Sequence, residues 1–214
     1  MRLLKIFLTG IFGMLSLSML SARTGAGLEI SYIRPNPKYE FGFMLKPAPG
    51  FAITTRSDNE YRLRWGVSFG YVPFKTTMEA FPVFKYNSSN ENGNEVYYIG
   101  EQRFKNNLFN LFFANAIGEF KILKTQLSPI IGLEFRMNME TFTYSTYYPD
   151  YYEEYSEDSH LGLTWSLFPK AGLVYDMEEW TFQLTAGYNW DIAGGNSNGT
   201  PYTAVSLSVI YYFK

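Results

Sequence analysis

Residues 201–214 read Pro201-Tyr-Thr-Ala-Val-Ser-Leu-Ser-Val-Ile-Tyr-Tyr-Phe-Lys214, and their alternation decides the fold. Side chains of an extended strand point to opposite faces in turn. Val205, Leu207, Val209, Tyr211 and Phe213 therefore share one face. Tyr202, Ala204, Ser206, Ser208, Ile210 and Tyr212 share the other. The first face is apolar throughout and ends on an aromatic; the second mixes small, polar and aromatic groups. A strand of this kind suits a wall with hydrocarbon on one side and a filled interior on the other.

Residues 180–191 repeat the pattern. Trp180, Phe182, Leu184, Ala186, Tyr188 and Trp190 face one way, and Thr181, Gln183, Thr185, Gly187 and Asn189 the other. At about 3.3 Å per residue and a tilt near 40°, the two tryptophans stand roughly 25 Å apart along the membrane normal, the height of an apolar band between aromatic girdles. Trp65 and Trp165 are read into the same girdles. A soluble barrel would turn this apolar set inward around a ligand; the girdle spacing and the terminal aromatic favour lipid outside.

Composition agrees. The chain is 46% hydrophobic and 19% aromatic, yet its mean hydropathy is only −0.16. Alternation reconciles the two, because half of each strand is apolar and half is not. The net charge of −2 provides no field for nucleic acid. Without cysteine, disulfides, cysteine-based catalysis and a lipoprotein anchor are not expected, and no metal or other cofactor is called for. A basic start, Met1-Arg-Leu-Leu-Lys5, precedes the apolar run Ile6–Leu20 and then Ser21-Ala22. This reads as a secretory signal peptide over 1–22, with cleavage after Ser18, Ala22 or Ala26, followed by one barrel domain over 23–214.

Eight strands are expected: 26–34, 39–56, 61–74, 107–122, 127–142, 161–175, 180–191 and 202–213. Polar turns at 57–60, 123–126 and 176–179 join them at one end, and longer connections at 35–38, 75–106, 143–160 and 192–201 at the other. This division separates periplasm from exterior in outer-membrane barrels and places the long loops outside the cell. Pro47, Pro49, Pro129 and Pro169 each remove a ladder hydrogen bond, so bulges are expected there. The fourth strand fits no single register, since either Asn110 or Asn115 would meet lipid; a bulge near Phe113 would repair it.

In this pattern the chain resembles the small eight-stranded outer-membrane barrels, the OmpX, OmpA-barrel and OmpW-like groups. The ending Tyr211-Tyr-Phe-Lys214 looks most like those of Bacteroidota barrels, although Lys214 follows the aromatic. The resemblance implies that barrel-assembly machinery reads the terminal strand, with Val209, Tyr211 and Phe213 as the signal. Lipid A deacylases and palmitoyltransferases occur on such barrels, but the lone His160 and its neighbours Ser159, Ser166 and Ser145 show no spacing that builds a triad.

The interior of eight strands is just wide enough for side chains to fill. Glu29, Lys46, Arg62, Arg64, Glu134, Arg136, Glu140, Lys170 and Asp191 are assigned to it as a charge plug, with Glu119 facing Arg64 if the fourth strand's register allows. The stretch 144–158 carries Tyr147, Tyr148, Tyr151 and Tyr152 beside Glu153 and Glu154, with no basic residue; rigid amphipathic rings of this kind suit recognition. Residues 97–99 are expected to extend a hairpin within the long 75–106 connection. The expectation is a non-enzymatic barrel in the lipid bilayer, structural or an accessory subunit of an outer-membrane complex. A narrow pore is the alternative, and a lipid A-modifying enzyme a third.

Overall fold

A computed structural model describes residues 23–39, 42–58, 62–87, 96–148, 154–194 and 201–213; the signal-peptide segment lies outside them. The strands are β1 (Arg23–Pro35), β2 (Ala48–Asp58), β3 (Leu63–Lys75), β4 (Phe81–Asn87), β5 (Val96–Phe104), β6 (Leu108–Lys121), β7 (Leu127–Tyr148), β8 (Glu154–Asp176), β9 (Trp180–Tyr188), β10 (Trp190–Gly194) and β11 (Tyr202–Tyr212). Antiparallel ladders run β1–β2–β3–β6–β7–β8–β9–β11, and β11 pairs back onto β1 from Gly25↔Tyr212 to Pro35↔Tyr202. The result is a closed eight-stranded barrel. Closure leaves the wall without an edge, the one way a sheet can satisfy its backbone in hydrocarbon.

The wall is apolar outward and polar inward. Leu28, Ile30, Phe51, Ile53, Phe69, Leu133, Leu184, Val205 and Leu207 are exposed, while Thr54, Arg56, Arg64, Ser68, Glu134, Gln183 and Ser208 are buried. Water-soluble packing would reverse this order. In β11 the outer residues Thr203, Val205 and Leu207 are exposed, as is Phe213 just past its end, and the inner ones from Tyr202 to Tyr212 are buried, as the alternation requires.

Several expected boundaries shift. β2 begins at Ala48 rather than at residue 39, because Gly42–Met44 forms a 3-10 turn. The connection at 143–160 is largely ladder: β7 and β8 stay in register out to Tyr148↔Glu154. The long connection after β3 folds its own hairpin, β4 with β5, and β5 docks on β7 through Glu101↔Tyr147 to Phe104↔Tyr144. A sheet of β4, β5, β7 and β8 therefore continues past the barrel at the long-connection end.

No bulge occurs at Pro49, Pro129 or Pro169, and Pro47 precedes β2 altogether. β7 and β8 pair through Pro129↔Leu173 and Leu133↔Pro169 without a shift, and β2 carries Pro49 opposite Tyr32. Each of the three lies where one flanking ladder stops. Pro129 accepts from Ile122 N at 2.9 Å just beyond the end of β6, Pro169 lies beside the break between β9 and β10, and Pro49 precedes the first β2–β3 pair. A missing N–H costs little at such a place. The register shift recorded in the wall falls between Asp191 and Ala193.

Nor does β6 need a bulge. Its ladders to β3 and β7 are continuous through Phe113. Asn115 points inward, and Asn110 takes the outer face, where its Oδ1 accepts from Tyr71 Oη at 2.7 Å. One hydrogen bond across the strand pair does what an extra residue was expected to do.

Leu207, at the middle of β11's outer row, is 50% exposed. Leu207→Arg should cost about 2–4 kcal/mol of stability in a bilayer, and Thr203→Arg near the rim about 0–1 kcal/mol. Reversible denaturant unfolding in lipid vesicles measures both.

Candidate functional site: a charged lumen beneath an aromatic cap

Eight charged residues are buried in the wall's interior: Arg56, Arg64, Arg136 and Lys170 against Glu29, Glu119, Glu134 and Glu140. Their formal charges cancel. Glu119 is the centre, with Lys170 Nζ at 2.5 Å, Arg56 Nε at 3.6 Å and Arg64 Nη1 at 4.0 Å from its carboxylate. Lys170 also reaches Glu134 at 2.7 Å, and Glu134 holds Arg136 at 2.6 Å.

Neutral groups extend this chain to both ends. Arg64 donates to Tyr212 Oη at 2.8 Å and to Gln183 Oε1 at 3.3 Å, and Gln183 donates to Glu119 at 2.7 Å. Asn115 donates to Glu134 at 2.6 Å and accepts from the Ser68 N–H at 2.9 Å. Arg136 donates to Tyr202 Oη at 2.8 Å and lies 3.7 Å over the Phe168 ring. The run from Tyr212 to Tyr202 thus begins and ends on β11 after crossing β3, β9, β6, β8 and β7. Glycines make room for its bulk: a side chain at Gly187 would strike Phe168, and one at Gly70 would strike Phe113.

Toward the long-connection end the filling turns aromatic. Phe104 and Phe142 are 5.2 Å apart edge to face, Phe109 stacks on Phe142 at 5.1 Å, and Phe81 meets Phe104 at 5.6 Å. Ile33, Leu45, Val72, Phe74 and Leu111 complete a buried cluster. At the opposite end Lys121 bridges Asp58 at 3.0 Å and Asp176 at 2.7 Å.

The residues assigned from sequence divide. Glu29, Arg64, Glu134, Arg136, Glu140 and Lys170 are buried in the lumen, and Glu29 accepts from Ser208 at 3.1 Å. Lys46 is exposed, since the strand that would have turned it inward starts two residues later. Arg62 adopts a left-handed φ of 69° in the β2–β3 turn and donates to Ile122 O at 2.8 Å, outside the lumen. Asp191 is half-buried at the barrel's far end, accepting from Asn189 at 2.9 Å. Arg56 was missed because the sequence places it beside a turn, and Glu119 was left conditional on the β6 register. Phe109, Leu111 and Phe113 share Glu119's parity, so the inward run of β6 foretold the aromatic cap once its register was known.

Trp65, Trp180 and Trp190 are exposed, and Trp165 stacks on Phe135 at 5.4 Å. Tyr211 lies 5.0 Å from Trp180 and 5.8 Å from Phe213, while Val209 is half-buried beside them in the outer row. Tyr147 is exposed on β7. Tyr148 and Glu154 fall on the paired strands, and Tyr151, Tyr152 and Glu153 lie outside the described residues. His160 stacks on Phe142 at 4.6 Å with no hydrogen-bond partner for Nε2. Ser159 pairs with Thr143 at 3.2 Å, and Ser166 is enclosed between Asn138 and Asn189. Among the described residues no group of acidic or histidine side chains is placed to hold a metal ion.

An inverted wall, a paired interior and tight turns confined to one end suit a bilayer. Neisserial surface protein A superposes on this chain with a TM-score of 0.58 at 11% identity, over 89% of this chain and 97% of its own. The fold is that of a small outer-membrane β-barrel. Looser likenesses are the N-terminal barrel of Pseudomonas aeruginosa OprF (TM-score 0.45, 13% identity, 90% and 100% covered) and Yersinia pestis Ail (0.42, 14%, 91% and 100%). No protein-family model matches the sequence, and no curated protein matches it significantly.

Glu119→Gln leaves three buried cations short of a counter-charge and should destabilise the barrel by about 3–5 kcal/mol. Adding Lys170→Met should recover part of that loss, a coupling of about 0.5–3 kcal/mol. Unfolding of the two single variants and the double variant in vesicles measures the cycle.

Proposed function

We propose that this barrel is non-enzymatic and acts through its surfaces, as a structural element or an accessory subunit of a larger outer-membrane assembly. The observation that carries this reading is the filled lumen. Charged side chains from five strands that neutralise one another, under a cap of packed phenylalanines, are occupied with holding the wall together. A tube so filled offers partners its rim and its outer wall.

Both surfaces have features that suit contact. The rim sheet of β4, β5, β7 and β8 would lie outside the cell, where it presents Tyr147. On the outer wall a groove of about 560 Å³ crosses β3, β6 and β7, with Ala116 and Gly118 between Trp65, Leu133 and Phe135. Small residues let apolar surfaces approach closely in a membrane. At the short-turn end, Val209, Tyr211 and Phe213 would engage the assembly machinery while the last strand closes on β1. Trp180, packed on Tyr211, supports that row.

Gentle detergent extraction from the native membrane, followed by native mass measurement and identification of companions, tests the reading. The expected result is a stable particle well above chain mass plus detergent. A lone barrel would remove the accessory role and leave the rim as the working surface.

A further inference from the structure

We propose that the barrel carries a binding site for the saccharide headgroup of a glycolipid, on its outer wall where β6, β7 and β8 leave the apolar belt. A cavity of about 410 Å³ lies there, lined by Lys105, Asn106, Asn110, Thr141, Thr143 and Ser159 with the Phe142–His160 pair behind. The inference does not depend on the barrel having protein partners.

Position comes first. Along β6 the outer row changes from exposed Phe112 to Asn110, along β7 from Met139 to Thr141, and along β8 from Leu161 to Ser159. These changes fall within one outward step of each other, because Asn110 pairs with Thr141, Thr141 with the still apolar Leu161, and Thr143 with Ser159. The boundary between hydrocarbon and polar headgroups therefore runs through the lower edge of the cavity. A ligand seated there has its polar part in the cavity, and apolar chains attached to it would lie on Phe112, Met139 and Leu161.

Chemistry selects the headgroup. Lys105, the cation at the rim of the cavity, is already bound to Glu157 at 2.7 Å, so the pair presents both signs and no net charge. The other polar lining groups are amides and hydroxyls. Asn110 is fixed by Tyr71, and Thr143 by Ser159. Neutral donors and acceptors set around a concavity match the hydroxyls of a sugar better than a bare phosphate.

The test uses the full barrel in nanodiscs containing glucosyl diacylglycerol and phosphatidylcholine with identical acyl chains. Native mass spectrometry after release counts the lipids retained. Unmodified protein should retain the glycolipid about tenfold over phosphatidylcholine. Thr141→Val with Ser159→Ala should abolish that preference, while Thr203→Val, an outward substitution on β11, should keep it. Equal retention of both lipids by the unmodified protein overturns the proposal without any variant. Undiminished preference in folded Thr141→Val/Ser159→Ala barrel also overturns it. Competition by free glucose as effective as by the glycolipid would make this a site for soluble saccharide, which refutes the lipid assignment.

Discussion

Glu119 meets Lys170, Arg56 and Arg64 inside an eight-stranded tube just wide enough for side chains, and the rest of the interior is arranged around that contact. Charges removed from water on this scale are tolerable only when each finds a partner and the remaining lone pairs find donors. Gln183 donates to Glu119 and Asn115 to Glu134, while Tyr212 accepts from Arg64 and Tyr202 from Arg136. Because the partners come from different strands, the same contacts set the rotation of each strand about its axis. A one-residue slip in any of them would send a charge into the lipid and an apolar side chain into the network.

The two halves of the lumen do different work. The charged half needs mutual geometry, and the aromatic half needs volume. Phe104, Phe109 and Phe142 fill the tube where the sheet of β4, β5, β7 and β8 rises from it. The rim sheet is thereby packed onto the barrel's own contents. Its outward residues, and the polar collar just above the lipid boundary, are left for contacts with other molecules.

Much of this was legible in the sequence. Strict alternation in 180–191 and 202–213 set inside against outside, and the polar turns at 123–126 and 176–179 set strand order. Alternation could not say how far strands run beyond the bilayer, since the 143–160 segment carries little apolar signal and is held by backbone pairing to its neighbour. Lys46 and Arg62 were placed inside by counting parity through segments that are turns. Asn110 looked like an error in a lipid-facing row, whereas its bond to Tyr71 makes it the first polar residue of the collar. The proline positions were read as faults in the ladder because sequence does not show where a neighbouring strand ends.

On the proposed reading, paired charges and packed rings close the interior. Single-channel recording of the unmodified barrel in a planar bilayer at high salt tests it most directly. Insertion, verified by heat-modifiable gel mobility of protein recovered from the same membranes, with no steady current is the expected result. A stable conductance that rises with salt concentration, and changes when Arg136 is reversed in charge, would contradict it.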